Sequence, residues 1–179
     1  LDSTHNGVLL EELFTPDGIG TLLTRDNYEI LRTATISDIP GMLDIIAPLE
    51  AKGILIPRGR EKLELEIGNY VILERDNFVI ACAGLYPYPE EKSAEVGCFA
   101  IGGHYQNQGR GKTILRQIEK IARARGIEQI FVVTTQTTHW FIEQGFSTAE
   151  FSTLPRKKQA SYNLARNPKV LVKSLSTPG

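Results

Sequence analysis

The stretch Tyr105-Gln106-Asn107-Gln108-Gly109-Arg110-Gly111-Lys112-Thr113 lies between an apolar run, Glu95 to Ile101, and the clearest helical pattern in the chain. From Thr113 to Arg125, residues Ile114, Leu115, Ile118, Ile121 and Ala122 recur at helical spacing, and Gly126 follows as a helix-ending glycine should. Ile130 to Thr135 then reads as a short, fully apolar strand. Strand, glycine-rich turn, helix and strand in that order predict a βαβ unit whose two strands run parallel. Glycines in the turn leave backbone N–H groups unobstructed at a helix N-terminus, where they and the helix dipole favour phosphate.

Three phosphate-binding loops compete for this stretch. A Walker A loop needs glycine five residues before Gly111-Lys112-Thr113, and position 106 is Gln. A dinucleotide fingerprint needs a third glycine where Ile114 stands. The pattern Q-x-x-G-x-G, in contrast, is met in full by Gln106 to Gly111.

Upstream, Glu29 to Thr35 is strand-like, and Ser37-Asp38-Ile39-Pro40 reads as an N-cap with proline in the first turn. The expected helix runs from Ile39 to Ala47. An irregular stretch with Pro48, Gly53, Pro57 and Gly59 follows, then a short helix over Arg60 to Ile67. Tyr70 to Glu74 and Phe78 to Tyr86, split by Arg75-Asp76-Asn77, predict a hairpin that Glu95 to Ile101 extends to three strands. Downstream, the pattern predicts a short helix near Thr138 to Gln144, a turn at Gly145, a helix after Pro155 and a last strand at Lys169 to Lys173. Residues 1 to 28 differ from the rest and read as a separate strand–turn–strand around Thr15-Pro16-Asp17-Gly18.

With 179 residues, 41% hydrophobic and 23% charged, the chain suffices for one domain and a little more, and is too ordinary in composition for disorder. A formal net charge of −1 gives no bulk attraction to nucleic acid or anionic membrane. No apolar stretch nears the ~18 residues of a membrane span, and the start lacks a basic region followed by an apolar run, so a cytoplasmic location is expected. The chain opens on Leu1 and its sole methionine is Met42, which predicts processing or excision from something longer. Cys82 and Cys98 sit in apolar runs and read as buried free thiols; His5, His104 and His139 have no metal-ligand spacing, and no metal is expected.

The Gln106 to Gly111 loop, in this order of elements, resembles the GCN5-related N-acetyltransferase family, in which the loop holds the pyrophosphate of acetyl-CoA. The resemblance implies an α+β fold over residues 29 to 179: a mostly antiparallel mixed sheet with a central splayed parallel pair, flanked by helices. Thr33 to Ile39, Pro48-Leu49-Glu50 with Gly53-Ile54-Leu55, Leu85 to Lys92, and His139-Trp140-Phe141 with Gly145-Phe146 narrow it to the bacterial N-acetylglutamate synthase branch. Residues 1 to 28 are similar to the closing hairpin of that branch's N-terminal amino-acid-kinase-like domain. That domain is thereby implied as a partner, and homo-oligomerisation is left open.

The resemblance also implies roles. Backbone groups of Cys98, Phe99, Ala100 and Ile101 would pair with the pantetheine arm, and Gln106, Asn107, Gln108, Gly109, Arg110, Gly111 and Lys112 would hold the pyrophosphate, with Arg110 or Lys112 adding charge. Glu95 would be the general base, and Thr134 would donate a hydrogen bond near the sulfur. An acceptor with two carboxylates calls for cations, and Arg58, Lys158 and Arg166 are the candidates. The implied reaction takes acetyl-CoA and L-glutamate to N-acetyl-L-glutamate, the first step of arginine synthesis. Another small amine as acceptor, or a non-catalytic acyl-CoA-binding module, are the alternatives.

Overall fold

The computed structural model describes residues 10–14, 20–24, 28–162 and 166–176, with side chains from 28 onward. The predicted βαβ unit is present: β6 (Ser93–Ile101), α3 (Arg110–Ala124) and β7 (Gln129–Thr134), with β6 and β7 parallel. The face of α3 carrying Ile114, Leu115, Ile118, Ile121 and Ala122 is buried against the sheet, as its spacing requires. Full burial of such a side chain contributes roughly 1.5–3 kcal/mol, so this one helix face is a major contributor to the core.

Around that unit lie β3 (Glu29–Thr33), α1 (Ile39–Ala51), α2 (Arg60–Glu66), β4 (Tyr70–Arg75), β5 (Phe78–Tyr88), α4 (Thr138–Glu143), β8 (Ser147–Ala149), α5 (Arg156–Ser161) and β9 (Lys169–Ser174). With β1 (Leu10–Phe14) and β2 (Gly20–Thr24), the described residues form one nine-stranded sheet in the order β1-β2-β3-β4-β5-β6-β7-β9-β8. Every pairing but β6–β7 is antiparallel. The β4–β5 hairpin turns on Asp76 and Asn77, both left-handed (φ 50° and 68°), residue types whose short polar side chains tolerate that conformation.

The sheet is covered on both faces, and β4 displays the two-residue period that sorts its side chains. Val71 and Leu73 join the core under α3, while Tyr70 and Ile72 join a second core under α1 and α2, with Ile39, Met42, Ile46 and Leu63. Beyond β7, Phe131 packs with Leu154 and Val170 in a third cluster.

One local reading changes. The first helix does not stop before Pro48 but runs through it to Ala51. Proline removes only its own N–H, and the Pro48 carbonyl still accepts from Lys52 N–H at 3.2 Å. The helix ends instead at Gly53, whose φ of +73° a side chain would strain; Gly53 N–H reaches Glu50 O (3.0 Å) and Ile54 N–H reaches Leu49 O (2.9 Å). The N-terminal hairpin adds β2 antiparallel to β3, extending the sheet on that side. Its predicted turn at residues 15–18 lies outside the described residues.

Candidate active site

Pairing between β6 and β7 runs from Ser93↔Gln129 to Glu95↔Phe131 and ends there, although β6 continues to Ile101 and β7 to Thr134. The two strands therefore diverge just past Glu95. A bulge reinforces the divergence: on β5, Cys82 pairs with Ala100 and Gly84 with Gly97, so Cys98 and Phe99 together face Ala83. Cys98 takes a left-handed backbone (φ 50°) at that point. Beyond Glu95 the β7-facing backbone groups of β6 thus lie outside the sheet's parallel ladder, where an extended chain can pair with them.

The cleft in this gap encloses about 90 Å³. Glu95, Val96, Gly97 and Cys98 form its floor on β6, with Val133 of β7 and Thr135, the residue just past its end, opposite. Arg58, Lys158 and Arg166 come from three further segments to the same cleft. The structure thus gathers four expected residues that stand up to 108 positions apart in the chain (58 to 166).

Each cation is held in place. The glycine stop of α1 sends Ile54, Leu55 and Ile56 along the cleft wall and delivers Arg58, whose N–H donates to Glu50 Oε1 at 2.8 Å. The Arg58 guanidinium stacks over the Tyr86 ring, 4.8 Å from its centroid, and lies 3.5 Å from both Tyr70 Oη and Glu66 Oε2. Tyr70 and Tyr86 hydroxyls hydrogen-bond each other, and burial pushes both phenols well above their ordinary range, so they remain neutral. Lys158, on α5, puts Nζ 2.6 Å from Glu95 Oε2, and Glu95 is buried. The Arg166 guanidinium donates to Gly53 O at 2.5 Å.

The two cysteines are free and buried. The Cys82 thiol donates to the Cys98 carbonyl oxygen at 3.6 Å; the adjoining Cys82 thiol and the nearby Arg58 charge hold the Cys98 thiol below its ordinary value, while the Cys98 neighbour and full burial push Cys82 up. Tyr88, packed on Phe131, is pushed up to about 12 by burial and by the Glu95 carboxylate.

At the other end of the gap, Gln106 Nε2 donates to Ile101 O (3.1 Å), tying the loop to the end of β6. Asn107 (φ 61°) and Gly109 (φ 82°) are left-handed, and Gly109 caps α3. The first closing bond of the helix runs from Thr113 N–H to Gly109 O, so the amides of Arg110, Gly111 and Lys112 precede it and point out of the helix end. Gly111 is closely packed: a Cβ there would stand 3.0 Å from Trp140 Cζ2, so the indole would have to shift to admit a side chain. This row of amides at the helix end fits a pyrophosphate.

The Acetyltransferase (GNAT) family model matches residues 40–146. The chain belongs to that family. Its loop and Glu95 fall inside the matched span, whereas Lys158 and Arg166 lie beyond it. The chain is 49% identical over 176 residues to an amino-acid acetyltransferase of Mannheimia succiniciproducens, and 50% over 171 residues to one of Pasteurella multocida. These matches cover 98% and 96% of this chain but only 40% and 39% of the relatives, so the chain spans about two-fifths of their length. Its fold is similar to that of N-acetylglutamate synthase from Neisseria gonorrhoeae solved with coenzyme A and N-acetyl-glutamate. The TM-score is 0.81 and the identity 38%, covering 97% of this chain and 41% of that one.

Within this GNAT domain two expected residues are placed differently from the others. The Arg110 side chain turns inward: its guanidinium is buried on Glu29 Oε1 (2.9 and 2.5 Å) and lies 5.0 Å from the Tyr105 ring centroid. Its charge anchors the loop to β3, and Lys112 is the exposed cation of the pair. Thr134 shares its hydroxyl with Thr137 Oγ1 (2.8 Å) and accepts from Thr137 N–H, while its neighbour Thr135 lines the cleft. Strand alternation puts these neighbours on opposite faces. The sequence reading missed Thr135, the apolar wall of Ile54 to Ile56 and the Tyr70–Tyr86 pair. The alternation of β7 signals the first of these; the others depend on the path of the chain after Gly53 and on the facing of β4 and β5.

Proposed function

We propose that this chain transfers the acetyl group of acetyl-CoA to the α-amine of L-glutamate, giving N-acetyl-L-glutamate and CoA, the first step of arginine biosynthesis. The observation that carries this reading is the convergence of Arg58, Lys158 and Arg166 on the cleft that contains Glu95. Three cations suit a dicarboxylate. A polyamine or a protein N-terminus would call for acidic walls. The names of the amino-acid acetyltransferases of Mannheimia and Pasteurella, and the ligands of the Neisseria synthase, support it.

In this reading the pantetheine arm lies along Cys98 to Ile101, and the pyrophosphate rests on the amides at the head of α3, beside Lys112. The amine nitrogen bonds the thioester carbonyl carbon, its proton passes to Glu95, and the C–S bond breaks. The departing thiolate is protonated from water, since the Thr134 hydroxyl expected near the sulfur is engaged by Thr137 away from the cleft lining. The domain works in the cytoplasm. The greater length of the relatives supports a further amino-acid-kinase-like domain in the whole protein, with residues 1–28 as its closing hairpin.

Release of CoA thiol from acetyl-CoA with L-glutamate, L-aspartate, L-glutamine and spermidine, with and without L-arginine, tests the reading. Turnover selective for glutamate is expected. Tight CoA binding with no thiol release for any amine would turn the domain into an acyl-CoA-binding module.

A further inference from the structure

The contact between Lys158 Nζ and Glu95 Oε2, at 2.6 Å, joins an acceptor-side cation to the assigned base. Both side chains are largely buried, at 16% and 9% exposure, so water screens the pair little. Oε2 is shut off from solvent, and among the described residues no hydrogen-bond donor other than this ammonium approaches it. An ammonium seated there draws the delocalised carboxylate charge to itself. It also stands on the cleft side of Glu95, where a reacting amine must come. The contact and the proton transfer therefore compete: while the ammonium is paired to Oε2, that oxygen cannot take the proton and the whole carboxylate is a weaker base, so Glu95 reaches its full basicity only when Lys158 leaves.

Among the described residues Glu95 is the one carboxylate paired with Lys158, so moving this largely buried ammonium off it leaves both charges uncompensated, which is costly unless another anion takes the cation. An acceptor carboxylate can. Arg58 cannot make the same exchange, because Tyr86, Tyr70, Glu66 and Glu50 hold it from the other side of the cleft.

Resting on the glutamate reading above, we propose that Lys158 is a selectivity gate: it caps Glu95 and releases it only to an acceptor whose own carboxylate takes the ammonium. Selection for an acidic acceptor then operates on kcat as well as on KM, since an amine without a carboxylate binds beside a capped base.

The test measures CoA release at about pH 9, where much of each acceptor is free amine, for wild type, Lys158→Met and Lys158→Arg. The acceptors are L-glutamate and its diamide, which keeps the α-amine and lacks both carboxylates. Lys158→Met should raise kcat for the diamide about tenfold, the rate equivalent of one charge-assisted hydrogen bond, while lowering kcat/KM for glutamate. Lys158→Arg keeps a cation able to cap Glu95 and should not produce the rise in diamide kcat seen for Lys158→Met. Acetate added to wild type with the diamide supplies a carboxylate in trans and should accelerate turnover; in Lys158→Met it should have no effect. CoA affinity and the melting curve verify that each variant is folded. If Lys158→Met raises only the glutamate KM, with diamide kcat flat and no acetate effect on wild type, Lys158 is a static anchor and the gate is overturned. Absence of glutamate turnover in wild type would overturn the functional reading and the gate together.

Discussion

The loop at the head of α3 and the cleft beside Glu95 lie at the two ends of the same gap between β6 and β7, yet they are built by opposite means. The loop is six consecutive residues, Gln106 to Gly111, and works through backbone amides, glycine dihedrals and a helix end. The cleft draws Arg58, Glu95, Lys158 and Arg166 from four separate segments and works through side-chain charge. Phosphate can be held by any chain that presents its amides correctly, so its site is local. An acidic amine needs specific charges at specific distances, and only tertiary structure can supply them. Changes in one region should therefore leave the other's ligand nearly untouched.

The strongest test of that separation is Glu95→Gln. It removes the proposed base while keeping shape, and kcat should fall by roughly 10²–10⁴, with CoA affinity unchanged in a binding titration. A loss of CoA affinity of comparable size would show that the two ends are one site. Next in size is Arg58→Ala, which removes a partly buried guanidinium held by two tyrosines. Loss of a charged hydrogen bond of about 2 kcal/mol corresponds to a rise of about 30-fold in the glutamate KM. The acetyl-CoA KM should move less than about twofold on the same scale; equal rises would remove Arg58 from the acceptor end.

Gly109→Ala probes the loop in return. No atom lies within 4 Å of a Cβ at this position, so the cost is purely that of φ +82° for a side-chain-bearing residue. About 1 kcal/mol of such strain predicts an acetyl-CoA KM raised about fivefold, with the glutamate KM unchanged. A shift in the glutamate KM of the same size would break the comparison from the loop's side.

The same contrast explains what the sequence made legible. Gln106, Gly109, Gly111 and the helical stripe from Ile114 to Ala122 identify strand, loop, helix and family, because their chemistry is written in neighbouring residues. Glu95 was readable as a strand residue before the loop. Its burial and its contact with Lys158 were not, since Lys158 reaches it only through α5, folded back over β7. Arg110 shows the limit of local reading in the loop itself. Its position suggests a phosphate cation, but Glu29, 81 residues earlier, holds its side chain inward. Thr134 and Thr135 are adjacent in sequence and part only when strand alternation assigns them to different faces. Pro48 misled for the opposite reason: a local rule about helix ends was overridden by the hydrogen bonds of Gly53 and Ile54 one turn later.

The smallest expected effect concerns the supports of the two regions. Arg110 on Glu29 anchors the loop, whereas α1, which leads into the acceptor wall, starts at Asp38. There Arg32 donates from both terminal nitrogens (2.8 Å each) and Thr35 N–H donates at 2.7 Å. Burial alone would raise the Asp38 carboxyl, but the Arg32 fork and the Thr35 amide outweigh it and hold the group below its ordinary value. A carboxyl lowered in the folded state stabilises the fold fully above its unfolded value, near 3.9, and loses that contribution as pH falls through the folded one. Asp38→Asn should therefore lower stability by about 1 kcal/mol at neutral pH. The gap from wild type in denaturant melts should hold down to about pH 5 and close below about pH 4. Amide exchange should quicken in α1 of the variant and stay at the wild-type rate in α3, because the two helices lie on opposite faces of the sheet in separate cores. Equal quickening in both helices would mean that the acceptor wall and the phosphate loop share one cooperative support.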